Sequence, residues 1–180
     1  MSVNKYKPLI RILPEDTACA DILNGFMLHD QLMNTIQVLS VAGGWPKAKT
    51  LVQDVHVPEM QRNTNIHLIV LIDMDKKNAP NIDIEETRRH DFQKILPSNL
   101  QARVAILGAW KDPESLTRNT NRSREEIGMQ LASDCYDGTR SLWEHEDLRH
   151  NLSELDRIGD QLRKILFSDA NLVDGTDWNG

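Results

Sequence analysis

The sequence predicts an α/β protein with a central, mostly parallel four-stranded sheet flanked by helices and followed by a helical C-terminal segment. Three observations lead there. Short β-rich apolar runs alternate with helical patterns as far as residue 107. The third run, Ile66-His-Leu-Ile-Val-Leu-Ile72, is almost continuously apolar, as a strand buried on both faces of a parallel sheet must be. Beyond residue 110, apolar side chains recur only at helical spacing.

Leu9-Ile-Arg-Ile-Leu13, stopped by Pro14, reads as the first strand. Thr17 is suited to cap a helix reaching about residue 29, with Ala20, Ile22, Leu23, Phe26 and Met27 as its apolar stripe. The second strand is Thr35-Ile-Gln-Val-Leu-Ser-Val41, ended by the turn Ala42-Gly-Gly44. Pro46 sits at the first position of a helix extending to about residue 55, and 56–65 reads as a polar connector. After the third strand come a charged loop over 73–82 and a helix over 84–96, closed by Pro97. Ala102-Arg-Val-Ala-Ile-Leu107 is the fourth strand, ending at Gly108. Helical spacing then covers 113–116, 125–135 and 152–167, and Asn151 and Glu154 are spaced as a capping box for the last helix. The expected organisation is a sheet domain over 1–110, a helical extension over 111–167 packed on it, and a flexible acidic tail over 168–180.

The 180 residues are enough for a real core, and none of the apolar runs approaches the ~20 residues of a membrane span. With no signal-type stretch at the N-terminus, a cytoplasmic protein without a membrane partner is expected. Cys19 and Cys135 have neither metal nor CxxC spacing and are expected as reduced thiols. The net charge of −6 argues at first against nucleic acid. Its distribution changes that: residues 1–124 hold 16 basic and 14 acidic side chains, and residues 125–180 hold 5 and 13. The sheet region is therefore slightly basic, and a local phosphate-binding face is compatible with the total.

Carboxylates recur where the strands end. The first strand runs into Pro14-Glu15-Asp16, the third into Asp73-Met74-Asp75, and the fourth leads to Lys111-Asp112-Pro113-Glu114. In a parallel sheet these ends share one edge, the edge where ligands bind. Several carboxylates gathered there repel one another and lose hydration unless a cation neutralises them. Mg²⁺, or Mn²⁺ in its place, suits oxygen ligands and keeps waters for exchange with phosphates. Asp73 and Asp75 are spaced to point to one face of the strand. Aspartate at strand exits also simply caps turns, so the pair alone does not specify chemistry.

The order of these pieces resembles the TOPRIM domain shared by topoisomerases, bacterial primases and nucleases of the overcoming-lysogenization-defect (OLD) type. The matching segments are Ile10-Arg-Ile-Leu-Pro-Glu15, Val38-Leu-Ser-Val-Ala-Gly-Gly44 and Leu68-Ile-Val-Leu-Ile-Asp-Met-Asp75, within residues 9–107. The resemblance implies a TOPRIM-like Rossmannoid fold and an Mg²⁺-dependent phosphodiester site, with Glu15, Asp73 and Asp75 as catalytic and metal-ligating groups and Glu114 completing a second metal position. Asp16 stands where many TOPRIM domains have Gly, and Lys76-Lys77-Asn78 replaces the small residues that often follow Asp-x-Asp. These departures turn the likeness toward the OLD-like nucleases. OLD nucleases normally carry an ATPase, yet the chain has no GxxxxGK[ST] loop, which implies a free-standing nuclease with a separate ATPase partner. A role in antiphage defence or DNA repair, acting on DNA rather than RNA, is implied by resemblance alone.

Lys111 is a candidate for stabilising developing phosphate charge, against the alternative of a solvated loop lysine. Glu114 equally suits the first turn of a helix after Pro113. Gly43 and Gly44 before a helix offer backbone N–H groups to a phosphate, although a plain tight turn explains them as well. Lys76, Lys77, Arg149 and His150 are further phosphate candidates. His145 and His150 are five apart, which does not match a two-histidine helical metal face. Two rivals stand beside the nuclease: a phosphatase of the haloacid-dehalogenase type, and a non-catalytic binding or assembly subunit. Tight binding to long DNA from so small a basic surplus implies a homo-oligomer or a partner.

Overall fold

The computed structural model describes residues 7–74 and 84–167, without the side chains of 84–87. Strands β1 (Leu9–Pro14), β2 (Ile36–Val38), β3 (Ile66–Asp73) and β4 (Val104–Ala109) form one sheet in the order β2-β1-β3-β4. Every pair is parallel, so the α/β, four-stranded expectation holds in its strictest form. β3 pairs along both sides, Leu9 opposite Ile66 on one and Leu68 opposite Val104 on the other. Six of its eight side chains are buried, which is what its continuous apolar run requires.

Each face of the sheet has its own core. Ile10, Ile12, Ile69 and Leu107 pack with α1 (Thr17–Phe26), α7 (Arg124–Asp137) and α8 (Leu152–Leu166). On the opposite face, Leu13, Leu68, Val70 and Ile72 meet α2 (Trp45–Leu51), α3 (Val57–Arg62) and α4 (Ile84–Ile95) through Ala48, Met60 and Phe92. The short helices α5 (Ser98–Gln101) and α6 (Pro113–Thr120) flank β4. The C-terminal helices therefore share a core with the sheet. Because β1 leads outward to β2 while β3 leads the other way to β4, the winding reverses between β1 and β3, the position at which open α/β sheets form a ligand crevice.

α1 and α7 approach so closely that two glycines are required. A Cβ on Gly128 would lie 1.9 Å from the Ile22 carbonyl oxygen, and one on Gly25 would lie 2.1 Å from that of Glu125. The same layer also contains a void of about 100 Å³.

Three local features differ from the sequence reading. The helix opened by Pro46 does not stop near residue 55: one wide π turn at Val52–His56 joins α2 to α3, so the expected connector is largely helical as far as Arg62. Val57 N–H donates to Val52 O, five residues back, and this change of register lets the chain absorb Pro58, which has no donor. β2 is shorter than 35–41, although Leu39 N–H still reaches Ile12 O and Ala42 N–H reaches Pro14 O as the chain curls over the end of β1.

The capping box is also absent: Asn151 precedes α8 but makes no side-chain cap. Its carboxamide instead accepts from Gly108 N–H (3.0 Å) and donates to Gly108 O (2.8 Å), while Glu154 Oε2 accepts from Ile106 N–H (3.1 Å). Arg157 donates to Val104 O and Gln101 O. β4 is an edge strand, and these three side chains supply the partners that a fifth strand would have given it. The pairing of exposed edge groups outcompeted a local cap.

Candidate functional site

Glu15 follows β1 immediately, with Pro14 paired to Leu71 and Glu15 N–H donating to Leu71 O at 2.8 Å. That bond places its side chain across the reversal point. Oε2 accepts from Asp73 N–H at 2.7 Å and Oε1 from Trp45 N–H at 2.9 Å. One carboxylate thus joins the ends of β1 and β3 to the first turn of α2. The backbone contributes as well: Glu15 O accepts from Gly43 N–H (2.8 Å) and Gly44 N–H (3.2 Å). Both glycines have positive φ, 81° and 118°, which lets the turn fold back over the strand end. Their N–H groups are directed to Glu15 rather than offered to a phosphate.

Glu15 is only 9% exposed, and burial raises its carboxyl pKa above the usual value. The Asp73 and Trp45 N–H groups and the positive charge of Arg88 act in the opposite direction without cancelling it, and Asp16 adds to the rise. Arg88, on α4, lies over the Trp45 ring at 5.5 Å, so it brings a cation to the same crevice. Asp16 is turned to another task, capping α1 by accepting from Cys19 N–H at 2.8 Å. Thr17 is therefore the first residue of α1 rather than its cap.

Glu15 and Asp73 are brought together. Asp73 ends β3 with its side chain half-buried, and its neighbour Met74 is fully buried, as the alternation of the strand predicts. Asp75, Lys76 and Lys77 lie outside the described residues. Among the described residues, no group of three or more His, Cys, Asp or Glu side chains is placed to hold a metal ion.

The candidates after β4 have other partners. Lys111 Nζ lies 3.5 Å from Glu146 and 3.8 Å from Asp147, a carboxylate that is completely buried. Glu114 is exposed and pairs with Arg124 at 2.5 Å, which also holds Asp21, so it ties α6 to α7 and α1. Arg149 is exposed on the short 3₁₀ helix Arg149–Asn151, and the His150 ring packs against Trp110 at 5.0 Å. His150 O accepts from Arg89 of α4. Arg149 and His150 thus sit beside the end of β4, while Gly43 and Gly44 sit beside the end of β1.

The sequence reading missed Arg88, Trp45 and Asp147. Arg88 was visible only as half of a basic pair, and nothing local links it to a strand end 73 positions earlier. Asp147 holds Asn119 at 2.9 Å, and its backbone O accepts from Trp110 N–H. A buried acid in a polar stretch has no sequence signature. Set against known proteins, the chain matches no family model, no curated protein and no solved structure.

Proposed function

We propose that the chain is a metal-dependent phosphodiesterase acting on nucleic acid, with its site in the crevice between the ends of β1 and β3, in the manner of TOPRIM domains and OLD-like nucleases. One observation carries the reading: Glu15 follows β1 and Asp73 ends the adjacent parallel strand β3 at the winding reversal, with the Asp73 backbone N–H donating to the Glu15 carboxylate at 2.7 Å. Each Glu15 oxygen accepts a single backbone N–H and so retains acceptor capacity toward the crevice. A carboxyl whose pKa burial has raised gains from an adjacent cation, so this donor set fits Mg²⁺ or Mn²⁺, held by Glu15 and Asp73 with Asp75 as the third acid. Such an ion, when bound, supplies Lewis-acid polarisation of a phosphoryl oxygen and a more acidic water.

The protein's own groups divide the remaining work. Glu15 either completes the ligand set with Asp73 and Asp75 or accepts the proton of the attacking water. Arg88 offers positive charge to the phosphate, and Trp45, half-buried under it, offers a flat apolar surface to a base. Lys111 lies just beyond the end of β4, where Glu146 and Asp147 balance its charge. DNA as substrate, a separate ATPase, self-association and a defence role extend the same resemblance.

A second reading has its own support. Both Glu15 oxygens brace backbone N–H groups, as they would in a non-catalytic assembly subunit. The test is incubation of the purified chain with plasmid, single-stranded DNA, RNA and a small phosphomonoester, each with Mg²⁺ or Mn²⁺ and with EDTA. Metal-dependent cutting that is lost in Asp73→Asn, with the fold intact by circular dichroism, is the expected result. Hydrolysis of the monoester alone indicates the phosphatase, and a folded protein inert on every substrate indicates the assembly subunit.

A further inference from the structure

The void in the α1–α7–α8 layer is lined by Ile12 and Ile69 from the sheet, by Phe26 and Leu131 from α1 and α7, and by Leu162 from α8. A second void of about 60 Å³ adjoins it, and both share Leu131, Leu107 and Trp143 as walls. Protein interiors seldom leave spaces larger than a water molecule. Water does not suit this one, because an enclosed water needs two to four polar partners and the wall is almost entirely hydrocarbon. A charged ligand does not suit it either: Arg163, the charged residue of the wall, donates to the Tyr136 carbonyl at 2.7 Å, and the Cys135 thiol is held protonated by burial, its pKa pushed up to about 12.

We propose that this pair of voids is a binding chamber for a small uncharged apolar molecule, about the size of a benzene ring or a short branched alkyl chain. The larger void takes the ring, and the smaller, reached past Leu131 and Trp143, takes a substituent. Ile22 and Phe26, the wall residues of α1, are only half-buried, and entry is assigned to their side. The site is independent of the crevice at Glu15 and stands or falls separately from the hydrolytic reading.

The experiment uses the full chain with benzene as probe. Methyl-labelled protein is titrated by NMR, and thermal unfolding is followed with and without benzene near its solubility limit. Expected are NOEs from benzene to the methyls of Leu131 and Ile69, and a Tm rise of about 2 °C or more. Gly159, in the wall on α8, provides the control: Gly159→Leu fills the larger void and removes the NOEs and the Tm rise. Should Gly159→Leu fail to fold, Leu131→Phe serves the same purpose. Absence of NOEs to those methyls in the folded wild type overturns the proposal, as does an equal Tm rise in a folded, filled variant.

Discussion

Replacing Glu15 with alanine tests the centre of the argument, because one side chain supplies the acceptors for the N–H groups of the β3 end and of the first turn of α2. Both bonds are charge-assisted and short, 2.9 Å to Trp45 and 2.7 Å to Asp73. Hydrogen bonds to a charged partner contribute about 1.5–3 kcal/mol each, giving about 3–6 kcal/mol gross for the pair. Removal of a buried charge offsets part of that loss, and the expected net destabilisation is about 2–4 kcal/mol. In urea, where m is ~1–3 kcal/mol/M for proteins of modest size, the midpoint should fall by about 1 M or more.

Glu15→Gln adds a pH signature. The wild-type carboxyl has a raised folded pKa, so its favourable contribution is complete below the unfolded value near 4.5 and is lost as pH rises through the folded value. The stability difference between wild type and Glu15→Gln should therefore be larger at pH 4.5 than at pH 8. Chemical unfolding at both values measures it. If Glu15→Ala lies within about 0.5 kcal/mol of wild type, the carboxylate does not brace the strand ends, and the case for the crevice fails with it. Asp73→Asn is the complementary probe: it keeps the backbone N–H that Asp73 gives to Glu15, so the brace should survive while metal-dependent activity is lost.

Asn151→Ala leaves both Gly108 edge groups and Leu148 O without their partner, and should cost about 2–4 kcal/mol in urea unfolding and raise the tendency to aggregate, read by light scattering. Gly128→Ala drives a Cβ to within 1.9 Å of the Ile22 carbonyl and should destabilise by at least about 3 kcal/mol; a Tm within 2 °C of wild type would disprove the close α1–α7 approach. His56 and His67 are held neutral, chiefly by burial and secondarily by Arg11 and Arg103 respectively. Their folded pKa values lie below 6.5, so the stability they confer is complete above 6.5 and lost as pH falls below it. His67→Leu should flatten the fall in Tm between pH 6.5 and 5.

The succession of strands and helices along the chain was legible in the sequence because burial on two faces leaves a direct trace, as in Ile66–Ile72, and because Gly and Pro punctuate the chain at 14, 43–44, 97 and 108. The helix end near residue 55 and the capping box at Asn151 were misread because local rules were decided by other contacts. A π turn absorbed the proline, and the open edge of β4 claimed Asn151 and Glu154. The charge count was misleading for the same reason. Of the acids that make the C-terminal third negative, Asp134, Asp147 and Glu154 are buried acceptors for Leu142, Asn119 and Ile106, and they do not contribute to a solvated surface.

Alone, the sequence determined the α/β class, the four strands and the placing of carboxylates at their exits, because these follow from periodicity and chain order. Only the tertiary structure decided that β1 and β3 are neighbours. It alone set Glu15 within hydrogen-bonding reach of Asp73, brought Arg88 over Trp45 and left a void under α7. Strand order and packing volume depend on contacts between residues tens of positions apart, and such contacts carry no local pattern.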